Sequence, residues 1–416
     1  MEVILKSGVL NGEVAIPPSK SHSIRALLIA AFARSVSTIE NLLLSDDIKN
    51  CIEVCKALGT TVAVSGNRTI IDSTHLIKEG EVVLNCGNSG TTLFFATALC
   101  CTLNIKALFT GDLSLSGRTA KNLLKSLSDL GAEISENFEV PYFVKGTLKG
   151  GRTEIDCPTS QYLSALLLAC PLAENDSRIK ILSLNEKPYV AMTLSWLKKQ
   201  DIRYSYNEKE REFLIYGKQS YQGFNAKIPG DYSSAAFFFT AAAITGGKVS
   251  VSGLEEDDTQ GDRRILDILN KMGCLITSEN GQITLRGPEK LKAVKMDLNS
   301  VPDLLPVLAV AGCFTDGEVV ISNVAQARLK ESDRISVMVN NLNSIGADIT
   351  ETDDGMIIRP VKYFSGGRIS CFNDHRVAMA MAVSSLKCSS SLIITGAETA
   401  SVSFPEFFNI FNNLVC

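Results

Sequence analysis

The sequence predicts a mixed α/β protein with two domains of similar construction, each made of three repeated modules. Its 416 residues exceed the roughly 250–300 at which single cores stop growing. A helix end, a glycine and a β-rich run recur along the chain, with copies 72 positions apart at Gly59 and Gly131 and 73 apart at Gly273 and Gly346. A repeat of about 70 residues fits six modules into the chain.

Each module is expected to contain a helix that is buried by the strands of the module. Short Val/Ile-rich segments with glycine turns precede the helices, as at 246–254 and 315–321. The helices that follow are apolar nearly all round, which is typical of buried helices. They are predicted over 161–170, 233–244, 303–311 and 375–386.

Two proline-containing points mark the predicted domain boundaries. One is Pro17-Pro18, and the other is Pro229-Gly230, which follows a charged, turn-rich segment. The chain would then cross twice between domains. We expect one domain from residues 1–18 and 230–416, a second from 19–229, and an active site in the cleft between them.

The composition is that of an ordinary soluble protein, with 45% hydrophobic and 21% charged residues. A net charge of −4 argues against a nucleic-acid binder that relies on bulk positive charge. The N-terminus does not resemble a secretory signal, and no apolar run reaches the roughly 20 residues of a membrane helix. The twelve cysteines contain no Cys-x-x-Cys pair, so we expect free, mostly buried thiols rather than a metal or disulfide framework.

The stretch 17–28 combines two prolines, three serines and two cations with the start of an apolar helix. Ser21 or Ser23 would suit the helix N-cap. A helix start favours anions, and Lys20 and Arg25 add positive charge. The stretch alone indicates either an anion pocket or a capped surface helix with two solvated cations.

Five further stretches place polar or charged residues beside small ones, mostly where an apolar helix begins: 85–92, 111–118, 158–161, 328–334 and 373–376. Taken singly, each is also compatible with a capped helix start or, for 328–334, with a solvated helix face. We interpret His375 as structural.

Together the stretches supply many cations and few carboxylates. The cations are Lys20, Arg25, Arg118, Lys330, Arg334 and Arg376, and the carboxylates are Asp47, Asp303 and Glu331. This set suits two polyanionic substrates and proton transfer between them. The chain has neither a Walker-type loop nor a Rossmann glycine set at a first strand, so nucleotide hydrolysis and hydride transfer are not indicated.

In combination, the motifs closely resemble those of the 5-enolpyruvylshikimate-3-phosphate synthase (3-phosphoshikimate 1-carboxyvinyltransferase) family. The resemblance covers the whole chain in order. It rests on Pro-Ser-Lys-Ser-x-Ser-x-Arg-Ala-Leu (18–27), Ser-Asp-Asp (45–47), Gly-Asn-Ser-Gly-Thr-Thr (87–92), Gly-Asp-x-x-x-x-x-Arg (111–118), Thr-Ser-Gln-Tyr-Leu-Ser-Ala-Leu-Leu (159–167), Lys-Pro-Tyr (187–189), Gly-Asp-Tyr-Ser-Ser-Ala (230–235), Pro-Asp (302–303), Lys-Glu-Ser-Asp-Arg (330–334), Asn-Asp-His-Arg (373–376) and Ser-Phe-Pro-Glu-Phe-Phe (403–408).

The resemblance implies an inside-out α/β barrel of two domains, each with three βαβαββ units. It also implies transfer of the enolpyruvyl group of phosphoenolpyruvate to the 5-hydroxyl of shikimate 3-phosphate, with loss of phosphate from a tetrahedral ketal, in aromatic amino-acid biosynthesis. No metal or organic cofactor is implied. We expect a cytoplasmic monomer whose partners are these two small molecules, and neither nucleic acid nor membrane.

The resemblance also assigns residues. Shikimate 3-phosphate would be bound by Lys20, Ser21, Arg25, Thr159, Ser160, Gln161, Asp303, Gln326 and Lys330, with Thr159 and Ser160 on its phosphate. Phosphoenolpyruvate would be bound by Lys20, Gly90, Arg118, Gln161, Arg334 and Arg376. Asp303 is the candidate base, Glu331 the candidate acid, and Lys20 the third catalytic residue.

Three positions depart from the family pattern. Phe94 stands where an arginine is usual, Glu186 where a phosphate-contacting serine is usual, and Val402 where a lysine is usual. They leave one alternative: a homologue of the same fold with weakened or altered activity that acts as a ligand-binding protein. The related UDP-N-acetylglucosamine enolpyruvyl transferases are expected to carry a loop cysteine near Arg118, and 111–118 has none.

Overall fold

The computed structural model describes all residues from Met1 to Cys416, and its mixed α/β class confirms the predicted class. The chain divides into two compact units. The first unit contains Met1–Pro18 and Pro229–Cys416, and the second contains Ser19–Ile228. None of the helices combines the length and the apolar composition needed to span a bilayer.

The strands are short, and most have two to five residues. In chain order they are β1 (Glu2–Leu5), β2 (Gly12–Ala15), β3 (Val36–Glu40), β4 (Thr61–Ser65), β5 (Arg68–Asp72), β6 (Glu79–Asn85), β7 (Asn104–Thr110), β8 (Glu133–Ile134), β9 (Tyr142–Lys145), β10 (Gly151–Cys157), β11 (Ser177–Leu184), β12 (Tyr204–Asn207), β13 (Glu212–Ile215), β14 (Asn225–Lys227), β15 (Lys248–Ser252), β16 (Leu275–Glu279), β17 (Gln282–Arg286), β18 (Lys295–Asp297), β19 (Val319–Ser322), β20 (Asp348–Thr352), β21 (Gly355–Arg359), β22 (Gly367–Ser370) and β23 (Leu392–Thr395).

The helices alternate with these strands. They are α1 (Lys20–Phe32), α2 (Asp46–Ala57), α3 (Gly90–Cys100), α4 (Leu113–Ser116), α5 (Lys121–Asp129), α6 (Ser160–Ala169), α7 (Lys187–Lys199), α8 (Tyr232–Thr245), α9 (Arg264–Lys271), α10 (Leu305–Gly312), α11 (Arg334–Ser344), α12 (His375–Ser385) and α13 (Phe407–Leu414). Short 3₁₀ turns lie at Cys170–Leu172, Gly261–Arg263, Pro302–Leu304, Ala325–Leu329 and Ala397–Val402.

Each unit contains three small mixed sheets. In the first unit their strand orders are β1-β23-β22, β16-β17-β15-β2 and β18-β19-β21-β20; in the second they are β10-β11-β13-β12, β14-β3-β5-β4 and β6-β7-β9-β8. Every sheet has one parallel pair, such as β6 with β7 or β18 with β19, and its remaining neighbours are antiparallel. A parallel pair needs a crossover, which α3 and α10 supply in these two cases.

The core of each unit is built around helices that are buried on all sides. In the first unit α8, α10 and α12 pack against one another, and every residue of α8 from 232 to 244 is buried. In the second unit α3 packs against α1 and α6. The four predicted buried helices are therefore confirmed, except that residues 303 and 304 belong to a 3₁₀ turn before α10 and Cys170 to a 3₁₀ turn after α6.

The glycines of the repeated junctions have the backbone conformation that their position requires. Gly59, Gly131, Gly273 and Gly346 have φ of 90°, 105°, 99° and 99°. These angles are disfavoured for residues with a β-carbon, so glycine ends the preceding helix without strain. At the end of α7 a similar left-handed turn is made by a non-glycine residue, Asp201, with φ 53°.

All twelve cysteines are free thiols, and eleven of them are buried, as expected from their spacing. Burial raises the pKa of the Cys170 and Cys157 thiols to about 12, so both stay protonated at neutral pH. These side chains therefore act as small core residues.

We expect Leu166→Ala on α6 to lower the free energy of unfolding by about 2–5 kcal/mol, because Leu166 is fully buried and its truncation leaves a cavity. Urea unfolding followed by the fluorescence of Trp196, the only tryptophan, measures this in the second unit. The control Leu113→Ala removes a side chain that is 94% exposed and should cost less than about 0.5 kcal/mol. Equal losses in the two variants would contradict this description of the core.

Candidate active site

The site residues of the second unit begin at the N-terminus of α1. Lys20 is the first residue of the helix, and its Nζ lies 3.0 Å from Oδ2 of Asp47, the second residue of α2. The N-cap is Ser19, whose Oγ accepts from the backbone N–H of His22, so the prediction of Ser21 or Ser23 was wrong. The Ser23 hydroxyl instead accepts from the backbone of Leu43.

Arg25 lies one turn further along α1 and is almost completely buried. Its guanidinium donates to the Ser21 and Tyr189 carbonyls at 2.9 and 3.1 Å, and to Thr193 Oγ1 at 2.9 Å. It also lies 4.9 Å from the ring centroid of Phe95. Burial lowers the pKa of Arg25 to about 9, which leaves the group charged at neutral pH. In this structure Arg25 joins α1 to α7.

A second group surrounds the N-terminus of α3. Gly90 is its first residue, and an added β-carbon there would lie 2.8 Å from Nη1 of Arg118 and 3.8 Å from Oε1 of Gln161. Gln161 Nε2 donates to Thr91 Oγ1 at 2.8 Å. The structure thus brings together three of the predicted phosphoenolpyruvate residues, and a β-carbon at position 90 would require the Arg118 guanidinium to shift.

A third group lies at the N-terminus of α6, where Thr159 is the N-cap. The Thr159 hydroxyl donates to Oε2 of Glu186 at 3.1 Å, and Ser160 donates to the same oxygen from its backbone N–H at 3.1 Å and from Oγ at 2.9 Å. The donors predicted to hold a phosphate therefore hold a carboxylate of the chain itself.

In the first unit, Arg334 gathers three carboxylates at the start of α11. Its guanidinium lies 2.6 Å from Asp303, 2.5 Å from Glu331 and 2.7 Å from Asp374. Only 1% of the side chain is exposed. Burial alone would lower the pKa of Arg334, but the three carboxylates outweigh it and raise the pKa well above its usual value. The group is therefore permanently charged.

Asp303 is shared by two arginines, because its second oxygen lies 2.8 Å from Nη2 of Arg376. Burial would raise the pKa of Asp303, but Arg376, Arg334 and Lys330 hold it well below the usual range. Asp303 is thus ionised and, in this state, a weak base. The structure brings together five predicted residues here: Asp303, Lys330, Glu331, Arg334 and Arg376.

The remaining predicted residue and two of the departures lie in ordinary structural surroundings. Gln326 is buried in the 3₁₀ turn Ala325–Leu329 and donates to the Asn299 carbonyl at 2.9 Å. Phe94 is buried against Tyr162 in an edge-to-face contact with 5.0 Å between ring centroids. Val402 ends the last 3₁₀ turn.

Sequence reasoning missed two carboxylates of the first unit. Asp374 caps α12 by accepting from the Arg376 backbone and also binds Arg334. Asp262 is buried in the turn Gly261–Arg263; one of its oxygens accepts from the Ser233 hydroxyl, and the other makes no hydrogen bond. The sequence did offer a signal for Asp262, because Gln-Gly-Asp (260–262) places an aspartate in a short polar stretch, as Asn-Asp-His-Arg (373–376) does.

Asp262 should make stability depend on pH. The pKa of Asp262 is raised from 3.8 to about 7, mainly by burial and next by the negative charge of Asp303. Asp231 adds to this shift, whereas Arg376 and the hydrogen bond from Ser233 oppose it. A carboxyl group whose pKa is raised in the folded state contributes to stability when the pH is below its ordinary pKa. This contribution to stability is lost as the pH rises towards 7. In Asp262→Asn, the midpoint of thermal unfolding should therefore fall less between pH 4 and 7 than in the wild type.

Asp267→Asn is the matched control, because Asp267 is exposed on α9 of the same unit. It should reproduce the wild-type slope of unfolding temperature against pH. A wild-type slope in Asp262→Asn as well would show that Asp262 titrates normally.

Comparison with known proteins assigns the chain to a family. The family model described as EPSP synthase (3-phosphoshikimate 1-carboxyvinyltransferase) matches residues 4–411. The chain is 41% identical to the 3-phosphoshikimate 1-carboxyvinyltransferase of Ruminiclostridium cellulolyticum, over 96% of this chain and 94% of that one. It is 43% identical to the enzyme of the same name from Acetivibrio thermocellus, over 96% and 95%.

The fold agrees with these sequence matches. A solved structure of EPSP synthase from Acinetobacter baumannii is similar with a TM-score of 0.82 and 27% sequence identity, over 100% of this chain and 98% of that chain. The resemblance inferred from the motifs is thereby confirmed. The chain belongs to the EPSP synthase (3-phosphoshikimate 1-carboxyvinyltransferase) family.

Proposed function

We propose that this chain transfers the enolpyruvyl group of phosphoenolpyruvate to the 5-hydroxyl of shikimate 3-phosphate and releases phosphate, as a step of aromatic amino-acid biosynthesis. The observation that carries the proposal is family membership across residues 4–411. The clustered arginines and carboxylates of the first unit support it, because they can bind an anionic substrate and move protons.

The residues assigned by resemblance divide into two binding sets. For shikimate 3-phosphate they are Lys20, Ser21, Arg25, Thr159, Ser160, Gln161, Asp303, Gln326 and Lys330; for phosphoenolpyruvate they are Lys20, Gly90, Arg118, Gln161, Arg334 and Arg376. Arginine forks pair with carboxylate and phosphate through two parallel hydrogen bonds. Lys20 serves both substrates, so one ammonium charge favours binding of both.

The proton transfers fall to Asp303 and Glu331. Asp303 takes the proton of the 5-hydroxyl as that oxygen attacks C2 of phosphoenolpyruvate, and Glu331 gives a proton to C3, which yields the tetrahedral ketal. Loss of phosphate then breaks the C2–O bond to phosphate, while the ionised Glu331 takes a proton back from the methyl carbon and the double bond is restored. Lys20 stabilises the negative charge that develops on the reacting oxygen during these steps.

The ion pairs of Asp303 suggest how it becomes basic. Arg334 and Arg376 hold its pKa well below the usual range in the unliganded chain. An anionic substrate group that pairs with these arginines neutralises their charge and loosens their contact with Asp303. The pKa of Asp303 then rises, and the carboxylate becomes a stronger base only when the substrate is present.

We also propose the finer features that the resemblance implies. Each domain holds three βαβαββ units in an inside-out α/β barrel, and side chains of both domains act on the same pair of substrates. The chain works as a cytoplasmic monomer and binds neither nucleic acid nor membrane. No metal or organic cofactor takes part in the proposed reaction.

The purified chain should release inorganic phosphate only when shikimate 3-phosphate and phosphoenolpyruvate are both present. A colorimetric phosphate assay, with each substrate omitted in turn, measures this. Binding of both substrates without phosphate release would contradict the proposal and favour a ligand-binding homologue.

Lys20→Ala and Asp303→Asn should each lower kcat by about a hundredfold or more, because each removes a group that acts on a reacting oxygen or proton. Circular dichroism melting checks that both variants fold. Lys56→Ala and Asp348→Ala replace exposed residues of the same types and should keep wild-type turnover. Wild-type turnover in Lys20→Ala or Asp303→Asn would remove that residue from the catalytic set.

A further inference from the structure

Glu186 is a buried carboxylate that the proposed reaction does not use. It lies immediately before α7, in the left-handed conformation with φ 57° and ψ 39°, and only 2% of the residue is exposed. Glutamate rarely adopts this backbone conformation and is rarely buried. Both features are retained here because the carboxylate has strong partners.

Those partners are the three donors at the start of α6. A single oxygen, Oε2, accepts from Thr159 Oγ1, Ser160 N and Ser160 Oγ at 2.9–3.1 Å. The first backbone N–H groups of a helix and its N-cap hydroxyl are the donors that commonly bind a phosphate oxygen. Glu186 thus makes, from within the chain, the contacts expected of a ligand phosphate.

We propose that Glu186 is a tethered anion that occupies the phosphate-binding donors of Thr159 and Ser160, so that substrate phosphate must displace it. Glu186 therefore sets the affinity of this chain for its phosphorylated substrate. The inference rests on the proposed function, which assigns the 3-phosphate to Thr159 and Ser160.

Charge and geometry both require displacement. A phosphate dianion and a carboxylate repel each other, and the buried donors cannot serve both at full strength. In the free chain the carboxylate satisfies the donors of Ser160, which is buried, and of Thr159, which is half-buried. The same contacts must break before phosphate binds, so they stabilise the free state and weaken substrate binding.

The first test is steady-state kinetics of Glu186→Ser and Glu186→Gln. Serine removes the competing anion, and glutamine keeps its shape without its charge. KM for shikimate 3-phosphate should fall about tenfold or more in Glu186→Ser, which corresponds to one charge-assisted contact, and by a smaller factor in Glu186→Gln. KM for phosphoenolpyruvate should stay within about twofold of wild type, since the exchange concerns the other substrate.

Glu136→Ser is the control, because Glu136 is exposed in the same unit and should leave both KM values unchanged. An unchanged or higher KM for shikimate 3-phosphate in Glu186→Ser and Glu186→Gln, with wild-type turnover present, would overturn the role of Glu186 and leave the proposed reaction intact. Absence of turnover in the wild type would instead overturn the reaction.

A second measurement does not depend on turnover. Millimolar inorganic phosphate should raise the unfolding temperature of Glu186→Ser by several degrees more than that of the wild type, because the vacated donors are open to it. Equal shifts in the two proteins would mean that Glu186 does not compete with phosphate, and they would overturn the inference whatever the kinetics show.

Discussion

The candidate site of the first unit depends on the buried positive charge of Arg334. With 1% of its side chain exposed, this guanidinium needs anionic partners, and it has three in Asp303, Glu331 and Asp374. Those contacts orient both proposed proton-transfer residues. Asp374 has a second role as the N-cap of α12.

Carboxylates of the chain itself pair, in both units, with groups that are proposed to bind substrate. In the first unit Asp303 pairs with Arg334 and Arg376, and in the second Glu186 pairs with Thr159 and Ser160. Such internal anions keep buried donors satisfied in the free protein. In the proposed reaction each gives way to a substrate anion, so binding becomes an exchange of partners. In the first unit this exchange makes Asp303 more basic. In the second unit the need to displace Glu186 lowers the affinity for shikimate 3-phosphate.

Much of the fold was predictable because its signals are local. Recurring junction glycines and helices apolar on every side predicted the α/β class and the buried helices, and the glycines have φ of 90–105° in the structure. The family was predictable because its motifs are specific, and the comparison confirmed it. The assigned roles of the site residues stay predictions.

The N-cap was missed because three serines compete within Ser19–Ser23, and only backbone geometry selects Ser19. Asp262 was missed because the Gln-Gly-Asp turn shows a carboxylate but not that this carboxylate will be buried and subject to the charge of Asp303.

We expect substrate to replace internal carboxylates at the donors that are proposed to bind it. A crystal structure of the chain with shikimate 3-phosphate bound tests it most directly. The 3-phosphate should lie within hydrogen-bonding distance of Thr159 and Ser160, with the Glu186 side chain moved away from both. A bound phosphate elsewhere, with Glu186 still accepting from Thr159 and Ser160, would contradict it.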